Sequence, residues 1–237
     1  GPMTIELDAW STVAVNLAEH ADNAIHTDIG ARAAGFPSAL VAGVTVYAYM
    51  THVPAAAWGR EWLAGGGGHV RFRAPVLEGD IVNFVPTNGA VETQVDGATR
   101  STCFVSLVGA TPPKCTGQGE HLDPISFVAD QTWNDYAWRA GDDLAIYADE
   151  QVVHPVTWMR VANDFFHTQM VSGSWIHVRS HLQHLGVASV GAQIDATAVV
   201  IERFDSRAGK RAILDVAINA DGSPVARYEH EAIIELP

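Results

Sequence analysis

Between residues 21 and 28 the chain reads Ala-Asp-Asn-Ala-Ile-His-Thr-Asp, with His26 four residues after Asp22 and two before Asp28. An imidazole that titrates near neutrality, set beside carboxylates, can take up and return a proton during a reaction. The same residue types also make turns and caps. Asp22 and Asn23 suit an Asx turn, and Asp28 suits the start of a helix over "IGARAAGF" (29–36). A second grouping is Arg160, Asp164 and His167, which fall at i, i+4 and i+7 and so share one face of a helix. They make either an internal ion pair beside a satisfied histidine or a site in which Asp164 is the acid. Tyr47, Tyr49, Thr51, His52 and Asn163 are further polar groups in apolar surroundings, placed where a ligand tunnel would run. The eleven histidines show no metal-ligand spacing. His177, His181 and His184 lie in a strand-like run, where those offsets do not bring all three to one face, and no metal is expected.

Composition narrows the classes. A chain of 237 residues that is 48% hydrophobic and 17% charged buries a large core and is not disordered. The net charge of −13 argues against nucleic acid and against an anionic membrane surface. Cys103 and Cys115 are the only cysteines and form no CxxC pair, which fits a reducing cytoplasm better than a disulfide framework. No apolar run is long enough for a membrane span and no signal-peptide pattern appears; Gly1-Pro2 before Met3 reads as a tag remnant. No serine sits in a G-x-S-x-G elbow and no G-x-G-x-x-G follows a strand, so neither an α/β-hydrolase nor a dinucleotide enzyme is expected, and no cofactor is called for. The "GGGG" at 65–68 reads as a flexible loop.

Two apolar segments, 40–58 and 155–171, read as long buried helices that must position these groups, the second opening on Pro155. Strand-like runs follow each: 69–76, 80–85 and 99–108 after the first, and 174–182, 192–204, 211–219 and 225–236 after the second. Residues 95–98 and Asp221-Gly222 read as hairpin turns. His69-Val70-Arg71 and His177-Val178-Arg179 stand at matching places after the two helices, which suggests an internal duplication. The expected fold is therefore α+β: two long central helices, each wrapped by an antiparallel β-sheet, the two sheets joined edge to edge. That is a double hotdog, with units at 3–115 and 141–237 and a linker at 116–140.

Residues 22–82 resemble the MaoC-like, R-specific enoyl-thioester hydratase and dehydratase family. The likeness rests on Asn23, Ile25, His26 and Asp28 in the loop, on Gly43 opening the first long helix, and on "HVRFRAPVLEGDIV" (69–82) with its Gly-Asp turn. The second half matches that family only in architecture. The resemblance implies His26 as the acid–base histidine and the Gly43 N–H as the donor that stabilises the thioester oxygen, aided by the helix dipole. The chain departs from the family's motif at three places. Ala21 stands where its catalytic aspartate would be, one residue before Asp22; Ala24 replaces its proline; and Ala42 replaces the histidine before the helix glycine. The expected activity is reversible hydration or dehydration of an enoyl or 3-hydroxyacyl thioester, or of a polyketide-like derivative. The catalytic candidates are His26, Asp22 and Gly43, and the candidate substrate-binding residues are Asn23, Tyr47, His52 and Asp164. A thioesterase using Asp164, a repurposed cyclase, and a non-catalytic acyl-binding protein are the alternatives. The expected partner is a small acyl thioester on coenzyme A or a carrier protein, and a homodimer is expected.

Overall fold

The structure is a computed structural model and describes residues 6–108 and 118–237. Cys115 and part of the expected linker lie outside them.

The first half runs β1 (Trp10–Val13), α1 (Asp28–Ala33), α2 (Gly43–Gly65), β2 (Gly67–Phe72), β3 (Ile81–Thr87), β4 (Ala90–Val95) and β5 (Ala98–Ser106). The stretch read as a linker supplies β6 (Glu120–His121), β7 (Ile125–Val128) and α3 (Thr132–Ala140). It is followed by α4 (Ile146–Glu150), α5 (Val156–Gln169), β8 (Ile176–His184), β9 (Gln193–Ser206), β10 (Gly209–Ala220) and β11 (Ser223–Glu235). The strands form a single eleven-stranded sheet in the order β1-β3-β4-β5-β2-β8-β11-β10-β9-β6, with β7 also on β9, and all the pairings are antiparallel.

That order is the duplication made visible. β2 matches β8, β5 matches β11, β4 matches β10 and β3 matches β9. The two sets meet where β2 pairs β8, with His69 opposite His181 and Arg71 opposite Arg179. Each set alone would leave an open edge there. The hairpins are set by residues that accept positive φ. Asp96 and Gly97 (51° and 76°) turn β4 into β5, and Asp221 and Gly222 (48° and 83°) turn β10 into β11. Asn88 and Gly89 turn β3 into β4 in the same way.

The helices are less alike than expected. α2 has 23 residues, with a break at Gly59 (φ 56°, ψ −139°) and Pro54 inside it; α5 has 14. α2 packs on strands of its own half and on β8, whereas α5 packs on β9, β10 and β11. The main apolar core is shared, running from Val44, Tyr47 and Phe84 to Phe165, Leu214 and Tyr228. Among the described residues, no helix is long and apolar enough to cross a membrane. Cys103 is buried and unpaired, and burial pushes its thiol up to about 12.

Two local expectations are corrected. The cap of α1 is Thr27, whose Oγ1 accepts the Gly30 N–H at 3.2 Å; Asp28 is already helical and accepts the Ala39 N–H at 2.9 Å. The glycines at 65–68 are not a loop: Gly65 ends α2, and Gly67 and Gly68 are strand. They are small because backbone and side chains come close. A Cβ on Gly66 would stand 2.2 Å from the Trp62 ring and 2.8 Å from the Ser106 carbonyl oxygen, and one on Gly68 would stand 3.2 Å from Cys103 Sγ. Nothing lies within 4 Å of a Cβ on Gly65. Gly66→Ala is therefore expected to destabilise by about 2 kcal/mol or more, and Gly65→Ala to be neutral within about 0.5 kcal/mol. Urea unfolding of the two variants side by side checks this.

Candidate functional site

A cavity of about 500 Å³ opens between the loop 20–26, the start of α2, one face of α5 and the beginning of β8. Asp22, Asn23, His26, Gly43 and Asp164 all line it, as do His20, Arg160, Asn163, His167 and His177. Five of the seven residues singled out in the sequence thus meet in one space.

The other two do not reach it. Tyr47 is fully buried with its hydroxyl near Gly68 and without a hydrogen-bond partner among the described residues. His52 stacks on Trp10 at 3.8 Å and its Nε2 lies 2.7 Å from Asp143 Oδ1. With Asp142, these residues are the grouping among the described residues whose potential metal-ligand atoms lie close together. Asp142 is already held by His154, at 2.6 Å.

The loop is fixed before it is chemical. Asn23 is buried and works as a clamp between the halves: Nδ2 donates to the Trp175 carbonyl at 2.9 Å, and Oδ1 accepts the Trp175 N–H at 3.3 Å and the Ile25 N–H at 3.4 Å. The last of these is the expected Asx turn. Ile25 then packs on Ala31 and Leu40, and its carbonyl accepts the Leu40 N–H. His26 Nδ1 donates to the Leu40 carbonyl at 2.7 Å, which leaves Nε2 as the lone-pair nitrogen without a protein partner among the described residues. Burial lowers the His26 pKa, while the Leu40 carbonyl and the Asp22 charge oppose that shift.

Asp22 does not bond to His26. Its half-exposed carboxylate lies 3.1 Å from His167 Nε2. Asp164 pairs with Arg160 at 3.0 Å, and burial nevertheless raises its pKa. The expected internal ion pair is therefore present, on the cavity wall.

Gly43 begins α2 behind Ala42, which supplies no side-chain cap. Its N–H has no acceptor among the described residues, so a free donor and the positive end of the helix face one place. A Cβ at Gly43 would stand 3.1 Å from His177 Nδ1 and 3.2 Å from the Phe72 ring.

Sequence reasoning missed His20, Tyr136, Ser180 and His230. His20 Nδ1 accepts from Arg160 at 3.4 Å and Nε2 donates to the Tyr136 hydroxyl at 2.6 Å, which in turn meets Thr45. Its position six residues before His26 was the available signal. Ser180 and His230 become neighbours only through the register of β8 on β11. There a β-bulge intervenes: Arg179 faces Glu231 but His177 faces Ala232, so Val178 is an extra residue. The bulge puts His177 and Ser180, three residues apart, on the same side of the strand. The three β8 histidines separate. His181 stacks on His69 at 4.7 Å and His184 Nδ1 donates to the Trp62 carbonyl at 3.0 Å.

With this geometry in hand, comparison with solved structures decides the architecture. A MaoC-like dehydratase aligns with TM-score 0.61 at 11% identity, over 96% of this chain and 98% of its own. RV0216, a conserved hypothetical protein from Mycobacterium tuberculosis with a double hotdog fold, aligns with TM-score 0.60 at 11% identity, over 96% of each chain. The chain is a double hotdog. A provisionally assigned oleoyl thioesterase from Lactobacillus plantarum shares the fold, with TM-score 0.56 at 10% identity over 98% of both chains. No family model and no curated protein matches the sequence.

The buried histidines make stability depend on pH. Burial drives His20 and His177 down to about 3 and His184 down to about 4, and His230 well below its usual value. Above about pH 6.5 these rings are neutral in both folded and unfolded chains. Below it the unfolded chain binds protons that the folded chain refuses, so stability falls from about pH 6.5 toward pH 3. Each ring adds a slope of up to about 1.4 kcal/mol per pH unit. Urea unfolding at pH 7, 6 and 5 is expected to show a loss of more than one proton's worth per unit; a flat profile would contradict the buried neutral rings.

Proposed function

We propose that the cavity binds an acyl thioester and that the protein is a hydratase or dehydratase acting on an enoyl or 3-hydroxyacyl thioester, or on a polyketide-like derivative. One observation carries the reading: the Leu40 carbonyl holds His26 Nδ1–H, and the free Nε2 shares a cavity with the unpaired N–H at the start of α2. In the hydration direction Nε2 takes a proton from water as the oxygen bonds to the β-carbon. The C=C electrons move onto the thioester oxygen, held by the Gly43 N–H. The imidazolium then returns its proton to the α-carbon, so one ring serves as base and then acid. Asp22 helps through its charge, which favours the protonated ring. Asn23 keeps the loop in place.

Thioester hydrolysis is the second reading, because Asp164 lines the same cavity and can orient water beside the thioester carbonyl. The thioesterase among the structural neighbours has the same fold. We further propose that residues 3–115 and 141–237 are the two hotdog units, joined by 116–140, with α2 and α5 as their central helices. The chain is proposed to pair as a homodimer, which light scattering at micromolar concentration checks.

Incubation with crotonyl-CoA and 3-hydroxybutyryl-CoA separates the readings. Hydratase chemistry interconverts the two without freeing thiol; thioesterase chemistry frees thiol from both. His26→Ala is expected to lower the interconversion by about two orders of magnitude or more. Full interconversion by His26→Ala would refute the assignment of the base. Turnover of neither thioester by the unmodified protein, with binding retained, would leave an acyl-binding protein.

A further inference from the structure

The part of the cavity wall built by the second half holds a chain of side chains that the reaction above does not use. His177 Nε2 donates to Ser180 Oγ at 2.6 Å, the Ser180 hydroxyl donates to His230 Nδ1 at 2.5 Å, and His230 Nε2 donates to Asn163 Oδ1 at 2.7 Å. The two rings lie side by side, with centroids 4.0 Å apart, because both bond to the same serine. Every internal link is made, yet one end is not: His177 Nδ1 is buried and has no partner among the described residues. At the other end, Asn163 Nδ2 has no protein acceptor among the described residues, and both end residues line the cavity.

A bare acceptor at the end of an otherwise satisfied chain is costly to keep, since a buried polar atom without a partner has given up its bonds to water and gained none. The Asn163 oxygen on His230 sets the direction of the chain and leaves Nδ1 without a proton, so its partner must be a donor. A thioester carbonyl and an unsubstituted acyl chain have no donor to offer, whereas a hydroxyl on the acyl chain has one. The place is also defined. Nδ1 lies 3.1 Å from where a Cβ of Gly43 would be, beside the N–H assigned to the thioester oxygen. A donor reaching it sits within a few bonds of that oxygen.

We propose that the His177–Ser180–His230–Asn163 chain is a hydroxyl-recognition site, in which His177 Nδ1 accepts a hydrogen bond from an acyl-chain hydroxyl and so selects hydroxyacyl thioesters over unsubstituted ones. The proposal rests on the thioester reading above and adds to it a specificity determinant from the other half of the chain. Burial keeps the His177 ring neutral, as an acceptor must be. Phe72, edge-on to His177 with centroids 4.9 Å apart, is the side chain that shifts to admit the hydroxyl. Its ring atoms also crowd the Gly43 position, so the same shift opens both groups.

Calorimetric titration of the full chain carrying His26→Ala, which neither turns the ligand over nor offers the His26 lone pair to its hydroxyl, with 3-hydroxybutyryl-CoA and with butyryl-CoA tests the proposal. The hydroxylated thioester is expected to bind about tenfold tighter, the size of one buried hydrogen bond. Adding His177→Leu is expected to abolish that difference. Nitrogen-15 NMR of the unmodified protein needs no variant to fold: the His177 Nδ1 resonance is expected to be of the unprotonated type and to move only when the hydroxylated thioester is added. Equal affinities for the two thioesters, or an Nδ1 resonance that ignores the hydroxyl, overturns this proposal alone. Binding of neither thioester overturns the thioester reading and this proposal with it.

Discussion

The antiparallel pairing of β2 with β8 is the constraint on which the rest depends. It closes an edge that each half would otherwise expose there, and it fixes the halves at a single register. Through that seam the start of α2, from the first half, comes to face the start of β8, from the second. The Asn23–Trp175 bonds repeat the linkage at the cavity itself. Neither half holds a complete site: the free helix N–H and the anchored histidine come from one, while the ion-paired helix face and the histidine–serine chain come from the other. Slippage of the seam by one residue would turn the β8 side chains to the opposite face of the sheet and dismantle the wall.

Charged groups do line the cavity, among them the half-exposed Asp22 and the exposed Arg73. His20 and His177, by contrast, are kept neutral by burial, and the Arg160 guanidinium is paired with Asp164. Beside these stand uncharged groups for a ligand: a lone pair on His26, a helix-end N–H and, behind Phe72, the end of one hydrogen-bonded chain. Such a space suits a neutral acyl group whose charge develops only during reaction, because the fixed dipoles are already oriented when the charge appears. The excess of acidic residues over basic ones lies elsewhere and is a property of the surface as a whole.

Much of this was legible in the chain. Strand-like runs, two of the joins marked by Asp-Gly turns, gave most of the long strands, because strand-favouring composition and positive-φ residues are local properties. His26 and Gly43 were found through the resemblance of residues 22–82 to a known family motif, which works because the loop and helix start lie close together in sequence. Asp164 was found from helix periodicity. What escaped depended on register. Ser180 meets His230 only once β8 and β11 are aligned, and no local pattern contains that alignment. The short strands β1, β6 and β7 carry too few residues to show a period. Tyr47 and His52 misled because an apolar helix with polar residues offers several faces to packing, and theirs turned toward Gly68 and Trp10 instead of the cavity. The glycines at 65–68 misled for the opposite reason: small size there answers to close packing, which composition alone does not distinguish from looseness.

The extra residue at Val178 has an implication for how such a site is tuned. Along a regular strand the face a side chain occupies is fixed by its parity, and changing it requires a different register. Here parity is broken once, next to the cavity. Whether His177 faces inward is therefore decided by where the extra residue is taken up between Ile176 and Arg179. If Val178 were paired in the ladder instead, it would stand opposite Ala232 and the imidazole would rotate out of the wall, while the strand beyond Arg179 kept its pairing. Recognition in this half of the molecule thus hangs on the placing of one unpaired residue, a property of the backbone ladder and not of any side chain in it.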